Sequence, residues 1–246
     1  MSYFDGFVLA VPTADKDKFI AHAQLGDPIF LEHGAIRVVE CWGEDVPHGK
    51  QTDFYRAVQA NDDETIAFSW IEWPDKTTRD AGMAAITAAM HSDPCMSPET
   101  NPMPFDGQRM IYGGFAPIVE EGAASQSPYV QGFMIPVPNA QKEDYRKLAQ
   151  DVWGMFHEFG ATRVIEAWGD DVPAGKVTDF ARGVEATEDE TVVFSFLEWP
   201  SREVCDAAAE KMQNDERMQM PEGFEMPFDG KRMVWGGFSP VVVVGG

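Results

Sequence analysis

Positively charged residues are scarce in this sequence of 246 residues. It has 19 lysines and arginines against 41 aspartates and glutamates, which gives a net charge of −22. A surface this acidic repels phosphate backbones and anionic lipid headgroups, so binding to either would need a local basic patch. The sequence contains no such patch. We therefore expect neither nucleic acid nor a membrane among the partners of this protein.

Cysteines and long apolar runs are also few. There are 3 cysteines, an odd number that does not suit a disulfide framework in a chain of this size. No apolar run reaches the roughly 18 residues of a membrane-spanning helix, and the first residues lack the basic segment of a secretory signal. These features predict a cytoplasmic protein with free thiols.

Short motifs of common catalytic and nucleotide sites are missing as well. The sequence has no GxGxxG, GxxxxGK[ST], HExxH or GxSxG pattern. The two halves of the chain resemble each other, yet none of the 5 histidines is matched by a histidine at the equivalent position of the other half. A metal site or a histidine-assisted nucleophile repeated in each half is therefore not supported. We predict no metal and no cofactor, and the sequence assigns no catalytic residue.

The strongest positive feature is this internal repeat. Residues 36–54 read IRVVECWGEDVPHGKQTDF and residues 162–180 read TRVIEAWGDDVPAGKVTDF, an offset of 126 residues. Further along, residues 103–117 (MPFDGQRMIYGGFAP) match residues 226–240 (MPFDGKRMVWGGFSP) at an offset of 123. The chain is therefore a tandem duplication.

A short stretch between the copies has the composition of a connection. Residues 121–126 read EGAASQ, which are mostly small or polar residues typical of a flexible linker. We predict two domains, 1–120 and 127–246, joined by a linker at 121–126.

Apolar periodicity predicts the elements of each copy. In the first copy a helix should separate the first two strands, with an interruption at Gly26 and Pro28. A β-hairpin, a second helix and a last strand should follow. The predicted strands are 3–11, 35–42, 53–60, 65–73 and 109–115.

The order β-α-β-β-β-α-β is a ferredoxin-like plan with an added strand, in which helices cover one face of an antiparallel sheet. The other face must also be covered, because Phe7, Val38, Phe68 and Trp70 all lie on strands. The second copy is the simplest cover. We predict an α+β fold in which two ferredoxin-like domains pack their antiparallel sheets face to face as an α/β barrel within one chain.

Several long segments carry a resemblance to a known family. The segments ECWGEDVPHGK, FSWIEWP and MPFDGQRMIYGGF resemble the YbaA-like family, a bacterial domain of unknown function in the dimeric α/β-barrel superfamily. Each copy covers one whole family domain. The resemblance implies a ferredoxin-like domain that pairs as a homodimer, and it brings no catalytic residues. The apolar end VVVVGG could pair with another chain, so a homodimer of the fused unit is a further expectation.

Polar and aromatic residues kept in both copies are the candidate ligand-binding residues. A carboxylate among large apolar residues on a strand must be paired, hydrogen-bonded or protonated. One interpretation places these residues around a cavity between the sheets, where tryptophans stack on a planar ligand. The other makes them a buried ion-pair lattice or solvated carboxylates near strand ends, with the tryptophans as core. The candidates are Glu40, Trp42, Glu72, Arg109, Glu166, Trp168, Glu198 and Arg232.

Two hypotheses for function follow from these interpretations. The first is a small-molecule-binding protein or enzyme that uses the cavity between the two sheets, and the superfamily resemblance favours it. The alternative is a non-enzymatic stress-related or protein-interaction module whose barrel is fully packed. An open cavity would favour the first hypothesis and a filled interior the second.

Overall fold

The computed structural model describes residues 1–89, 95, 97–124, 129–218 and 223–246. The elements of the first copy are β1 (Tyr3–Pro12), α1 (Lys16–Gly26), α2 (Pro28–Glu32), β2 (Arg37–Asp45), α3 (Phe54–Ala57), β3 (Glu64–Trp73), α4 (Lys76–Ala89) and β4 (Ile111–Gly122). Those of the second copy are β5 (Tyr129–Pro138), α5 (Lys142–Glu158), β6 (Arg163–Asp171), α6 (Phe180–Gly183), β7 (Glu190–Trp199), α7 (Arg202–Gln213) and β8 (Val234–Gly245).

The strands of the two copies form one closed antiparallel barrel. Their order around it is β1-β3-β2-β8-β5-β7-β6-β4, and β4 closes the ring by pairing with β1. Two pairings join the copies, because β8 runs along β2 and β4 runs along β6. The predicted α+β barrel within one chain is therefore confirmed, and the sheets are continuous through these shared edges.

Both joining strands reach beyond the positions expected from the sequence. β4 continues to Gly122, inside the predicted linker at 121–126. The C-terminal stretch VVVVGG belongs to β8, where Val244 lies opposite Val38 and Gly245 lies opposite Arg37. This strand edge is already paired within the chain, so the expectation that it is open to another chain is wrong. The domain limits at 1–120 and 127–246 stay a prediction.

Aromatic side chains from both copies fill the barrel interior. Phe68 on β3 stacks on Phe194 on β7 with ring centroids 4.6 Å apart. Trp70 stacks in the same way on Phe196, at 4.1 Å. All four side chains are fully buried. Rings in direct contact leave no space for a ligand between them, so the predicted cavity between the two sheets is wrong.

Two glycines give these rings their space. Gly6 on β1 lies against Phe194, and Gly132 on β5 lies against Phe68. A methyl group at either glycine would come within 2.8 Å of the ring, so a larger residue would have to displace it. Each copy therefore keeps a glycine in its first strand because an aromatic ring of the opposite copy occupies the place of a side chain.

The predicted strand at 53–60 is wrong. The chain instead forms the short helix α3, where the carboxylate of Asp53 accepts a hydrogen bond from the backbone N–H of Arg56. Aspartate favours this N-cap position because it satisfies a free N–H group of the first helical turn. Phe54 then packs edge-on against Phe238 in the barrel. With α6 formed likewise in the second copy, each copy has the four strands of a ferredoxin-like unit.

The predicted interruption of the first helix is confirmed. α1 ends at Gly26 and α2 begins at Pro28, whereas α5 in the second copy continues unbroken. Proline begins a helix readily and continues one poorly, because its nitrogen carries no hydrogen. The interruption leaves Asp27 between the two helices, where its side chain is only 7% exposed.

Candidate functional site

Each copy has a cavity between its helices and the outer face of the barrel. In the first copy the cavity has a volume of about 340 Å³, and in the second about 600 Å³. Both volumes lie within the range of small-molecule sites. Matching positions of the repeat line the two cavities, which are Phe7 and Phe133, Ala23 and Ala149, Glu40 and Glu166, Met103 and Met226, and Phe105 and Phe228.

Strand alternation directs the two glutamates into these cavities. On β2 the side chains of Val39 and Cys41 point into the barrel core, whereas Val38, Glu40 and Trp42 point toward the helices. Adjacent residues of a strand face opposite sides of the sheet, so this division was expected from the sequence. β6 repeats it with Glu166.

The first glutamate lies at the base of an apolar cavity. The hydroxyl of Ser69, on the neighbouring strand β3, donates a hydrogen bond to the carboxylate of Glu40. Burial is the main cause that raises the pKa of Glu40 from 4.5 to about 7. A carboxyl group with this pKa can both give and accept a proton near neutral pH.

The second glutamate has an additional hydrogen-bond donor. The hydroxyl of Tyr145 on α5 donates to Glu166 at 2.6 Å. Burial again raises the pKa of this carboxyl group, to about 7, and the bonds from Tyr145 and Ser195 oppose the shift. Phe19 stands at the position of Tyr145 in the first copy, so only one of the two cavities has the phenol.

Asp27 is the main residue of the first cavity that the sequence did not identify as a candidate. Its carboxyl group lines the cavity, and the pKa of Asp27 rises from 3.8 to about 9 because of burial and the nearby charge of Glu40. The interruption at Gly26 and Pro28 is the sequence signal for it, since the break between the two helices places Asp27 where it lines the cavity.

The predicted tryptophans pack beside the cavities rather than lining them. Trp42 is 6% exposed and belongs to an apolar cluster with Phe19, and the Nζ atom of Lys16 lies 5.3 Å from its ring. Trp168 is packed similarly, with Lys142 at 4.7 Å. These contacts fit the core interpretation.

The predicted residues Glu72 and Glu198 point into the barrel, on the opposite face of the sheet from Glu40 and Glu166. Each pairs with an arginine of the other copy. Arg163 donates two hydrogen bonds to Glu72, at 2.8 and 2.9 Å. Arg37 donates to Glu198 at 2.9 Å, and Arg163 lies 3.6 Å from Glu198. This is the buried ion-pair lattice of the alternative interpretation, and it joins the two copies.

Arg109 and Arg232 form ion pairs with carboxylates that line neither of these two cavities. Two nitrogens of Arg109 donate to the carboxylate of Glu64 at 2.6 and 2.7 Å, and its Nε atom donates to Asp106 at 3.1 Å. Arg232 binds Glu190 in the same way, at 2.7 Å. The predicted grouping of Glu40, Glu72 and Arg109 around one site is therefore wrong, because the structure separates them.

The part of the chain that the structure describes contains neither a cluster of metal ligands nor a membrane-spanning helix. In this part of the chain no three His, Cys, Asp or Glu side chains converge as metal ligands would. None of the helices described has both the length and the apolar character needed to cross a membrane.

The sequence matches a family model described as protein of unknown function (DUF1428), over residues 2–107 and again over 128–230. The chain belongs to this family. The two matches confirm that its domain is duplicated in tandem.

Two curated relatives agree with this assignment. The uncharacterized protein YbaA of Escherichia coli K12 is 52% identical over 121 residues, which cover 49% of this chain and 100% of YbaA. The YbaA protein of Shigella flexneri matches with the same figures.

Two solved structures are similar over almost their full length. A "putative monooxygenase" from Lactobacillus acidophilus NCFM has a TM-score of 0.58 at 13% identity, covering 99% of this chain and 96% of its own. An anthrone oxidase-like protein has a TM-score of 0.53 at 12% identity, covering 99% and 92%. At these identities the likeness establishes the fold alone.

Proposed function

We propose that this protein binds small, largely apolar molecules in two pockets, one in each copy, between the helices and the outer face of the barrel. The observation that carries this proposal is the repeated arrangement of a glutamate at the base of an apolar cavity. Glu40 and Glu166 occupy matching positions, and burial raises the pKa of both carboxyl groups to about 7. Each can hydrogen-bond a polar group of a ligand and exchange a proton with it.

The walls of the pockets indicate the kind of molecule. Apolar side chains, among them several phenylalanines and methionines, form most of the lining, so the body of the ligand is apolar or aromatic. The glutamate supplies one directional polar contact, which suits a hydroxyl or other hydrogen-bond donor. The packed barrel interior does not compete with this proposal, because the pockets lie on its outer face.

A titration with 2-naphthol tests the proposal, because this probe has an aromatic body and one hydroxyl and is fluorescent. We expect two bound molecules per chain. Replacing Ala23 or Ala149, which line the two cavities, with phenylalanine should each remove one site. Gln24→Phe on the exposed face of α1 is the matched control and should leave both sites intact.

The glutamates are tested separately. Glu40→Gln and Glu166→Gln keep the shape of the side chain and remove its titration, so each should abolish proton exchange with the probe at one site. If the two alanine replacements leave the stoichiometry unchanged, the pockets are not the binding sites and the proposal fails. A stoichiometric protein partner captured without any small-molecule binding would favour the interaction module instead.

A further inference from the structure

The pocket of the first copy contains two carboxyl groups, and none of the described residues that line it carries a lysine or arginine charge to neutralise them. Asp27 is 7% exposed, and its Oδ2 atom has no hydrogen-bond partner among the described residues. Glu40, on the sheet side of the same cavity, accepts a hydrogen bond from Ser69. A buried carboxyl oxygen without a partner is unfavourable unless something binds it.

No cationic side chain lines this cavity in the part of the chain that the structure describes. Its lining has neither lysine nor arginine. Among the residues that the structure describes, the other titratable groups facing the cavity are the His22 imidazole and the Cys95 thiol.

His22 does not supply the missing positive charge. Its Nδ1 atom lies 2.7 Å from Oδ1 of Asn101, whose Nδ2 atom donates to two backbone carbonyls. The amide oxygen must therefore accept, and the imidazole donates to it. Burial lowers the pKa of His22, which favours the neutral ring near pH 7.

The rest of the wall suits an organic cation with an apolar body. Four phenylalanine rings line the cavity, and aromatic faces attract ammonium groups as well as hydrocarbon. Burial raises the pKa of Asp27 to about 9 and that of Glu40 to about 7, so without a ligand Asp27 keeps its proton at neutral pH and Glu40 is partly protonated. A bound cation would restore the charged forms.

The second pocket differs at each of these points. Trp153 stands at the position of Asp27, and Glu166 already accepts a hydrogen bond from Tyr145. Arg217 lines the second pocket, where Cys95 lines the first. Both pockets therefore have a glutamate at the bottom, but the charged groups around it differ.

We propose that the pocket of the first copy binds a small primary amine as its ammonium ion, which lies between the carboxylates of Asp27 and Glu40 while the apolar body packs among the phenylalanine rings. The inference rests on the proposed function and adds the ligand class for one of the two pockets. Binding releases carboxyl protons to the solvent, and no bond within the ligand is made or broken.

Calorimetric titration at pH 7 with 2-phenylethylamine tests this, with 2-phenylethanol and 3-phenylpropanoate as the neutral and anionic comparisons. We expect the amine to bind at one site, roughly tenfold or more tightly than either comparison. Repeating the titration in buffers of different ionisation enthalpy should reveal release of roughly one to two protons per amine, from Asp27 and from the protonated fraction of Glu40. Equal affinity for the amine and the alcohol in the unaltered protein would overturn the inference without any variant.

Variants locate the site. Asp27→Asn and Glu40→Gln should each weaken amine binding by roughly tenfold and reduce proton release, whereas Glu166→Gln, the matched change in the other pocket, should have no effect. Amine affinity that falls equally in Glu166→Gln would contradict the assignment. If 2-naphthol binds at two sites and the amine does not bind, only this inference fails. If neither probe binds, the proposed function fails as well.

Discussion

Replacement of Asp27 by asparagine tests whether the first pocket keeps a buried carboxyl group at the expense of stability. Burial, reinforced by the charge of Glu40, raises the pKa of Asp27 from 3.8 to about 9. Between these two pH values the carboxyl group of Asp27 therefore keeps its proton in the folded protein but has lost it in the unfolded chain. Because the folded state binds the extra proton, the free energy of unfolding falls as pH rises through this range.

The size of the effect follows from the pKa difference. One proton contributes about 1.4 kcal/mol per pH unit, so between pH 3.8 and pH 7 the loss is about 4 kcal/mol. Asparagine resembles the protonated carboxyl group in shape and does not titrate. We expect Asp27→Asn to match the wild type near pH 4 and to be about 4 kcal/mol more stable at pH 7.

Urea unfolding followed by tryptophan fluorescence at several pH values between 4 and 8 measures this difference. Asp62→Asn changes an exposed aspartate and should follow the wild type throughout. Stability curves of wild type and Asp27→Asn that stay parallel over the whole range would refute the reasoning, because the carboxyl group would then titrate alike in both states.

Three further predictions concern the barrel and the second pocket. Gly6→Ala forces a methyl group to within 2.8 Å of a stacked ring and should lower the free energy of unfolding by about 1–3 kcal/mol; an unchanged urea midpoint would contradict the packing argument. Arg163→Met leaves Glu72 buried without its bidentate partner and should destabilise by about 3–5 kcal/mol, with thermal unfolding as the measurement. Tyr145→Phe removes a hydrogen bond that lowers the pKa of Glu166, so a carboxyl titration by ¹³C NMR should give a value above that of the wild type, and a lower value would show that the bond does not favour the charged form.

The duplication and the barrel were accessible from sequence because they depend on repetition and on strand composition. It was harder to predict which side chains from different strands share one face of the sheet. Alternation on β2 correctly separates Glu40 from Arg37. It does not show that Phe68 points into the barrel while Phe7 points toward the helices, since both residues are apolar and both faces of the sheet are covered.

The ion pairs of Glu72 and Glu198 depend on tertiary contacts that no single copy contains. Glu72 and Arg37 face each other across neighbouring strands, yet each is hydrogen-bonded to a residue of the opposite copy. Only the closed barrel brings those partners together. The strand predicted at 53–60 failed for a local reason, because the N-cap of Asp53 stabilises a helical turn that apolar composition alone does not reveal.

Fusion of the two copies removes a constraint that a symmetric pair of chains would impose. A single copy leaves the edges of β2 and β4 unpaired, so a protein with one copy needs a second chain to close the same barrel. Two identical chains must carry identical pockets. In this chain the elements that close the barrel remain alike in both copies, whereas Asp27 and Trp153 occupy matching positions beside the two pockets. This difference lies beside the proposed ligand pockets, and in a fused chain the carboxyl group of Asp27 can arise in one pocket without altering the other.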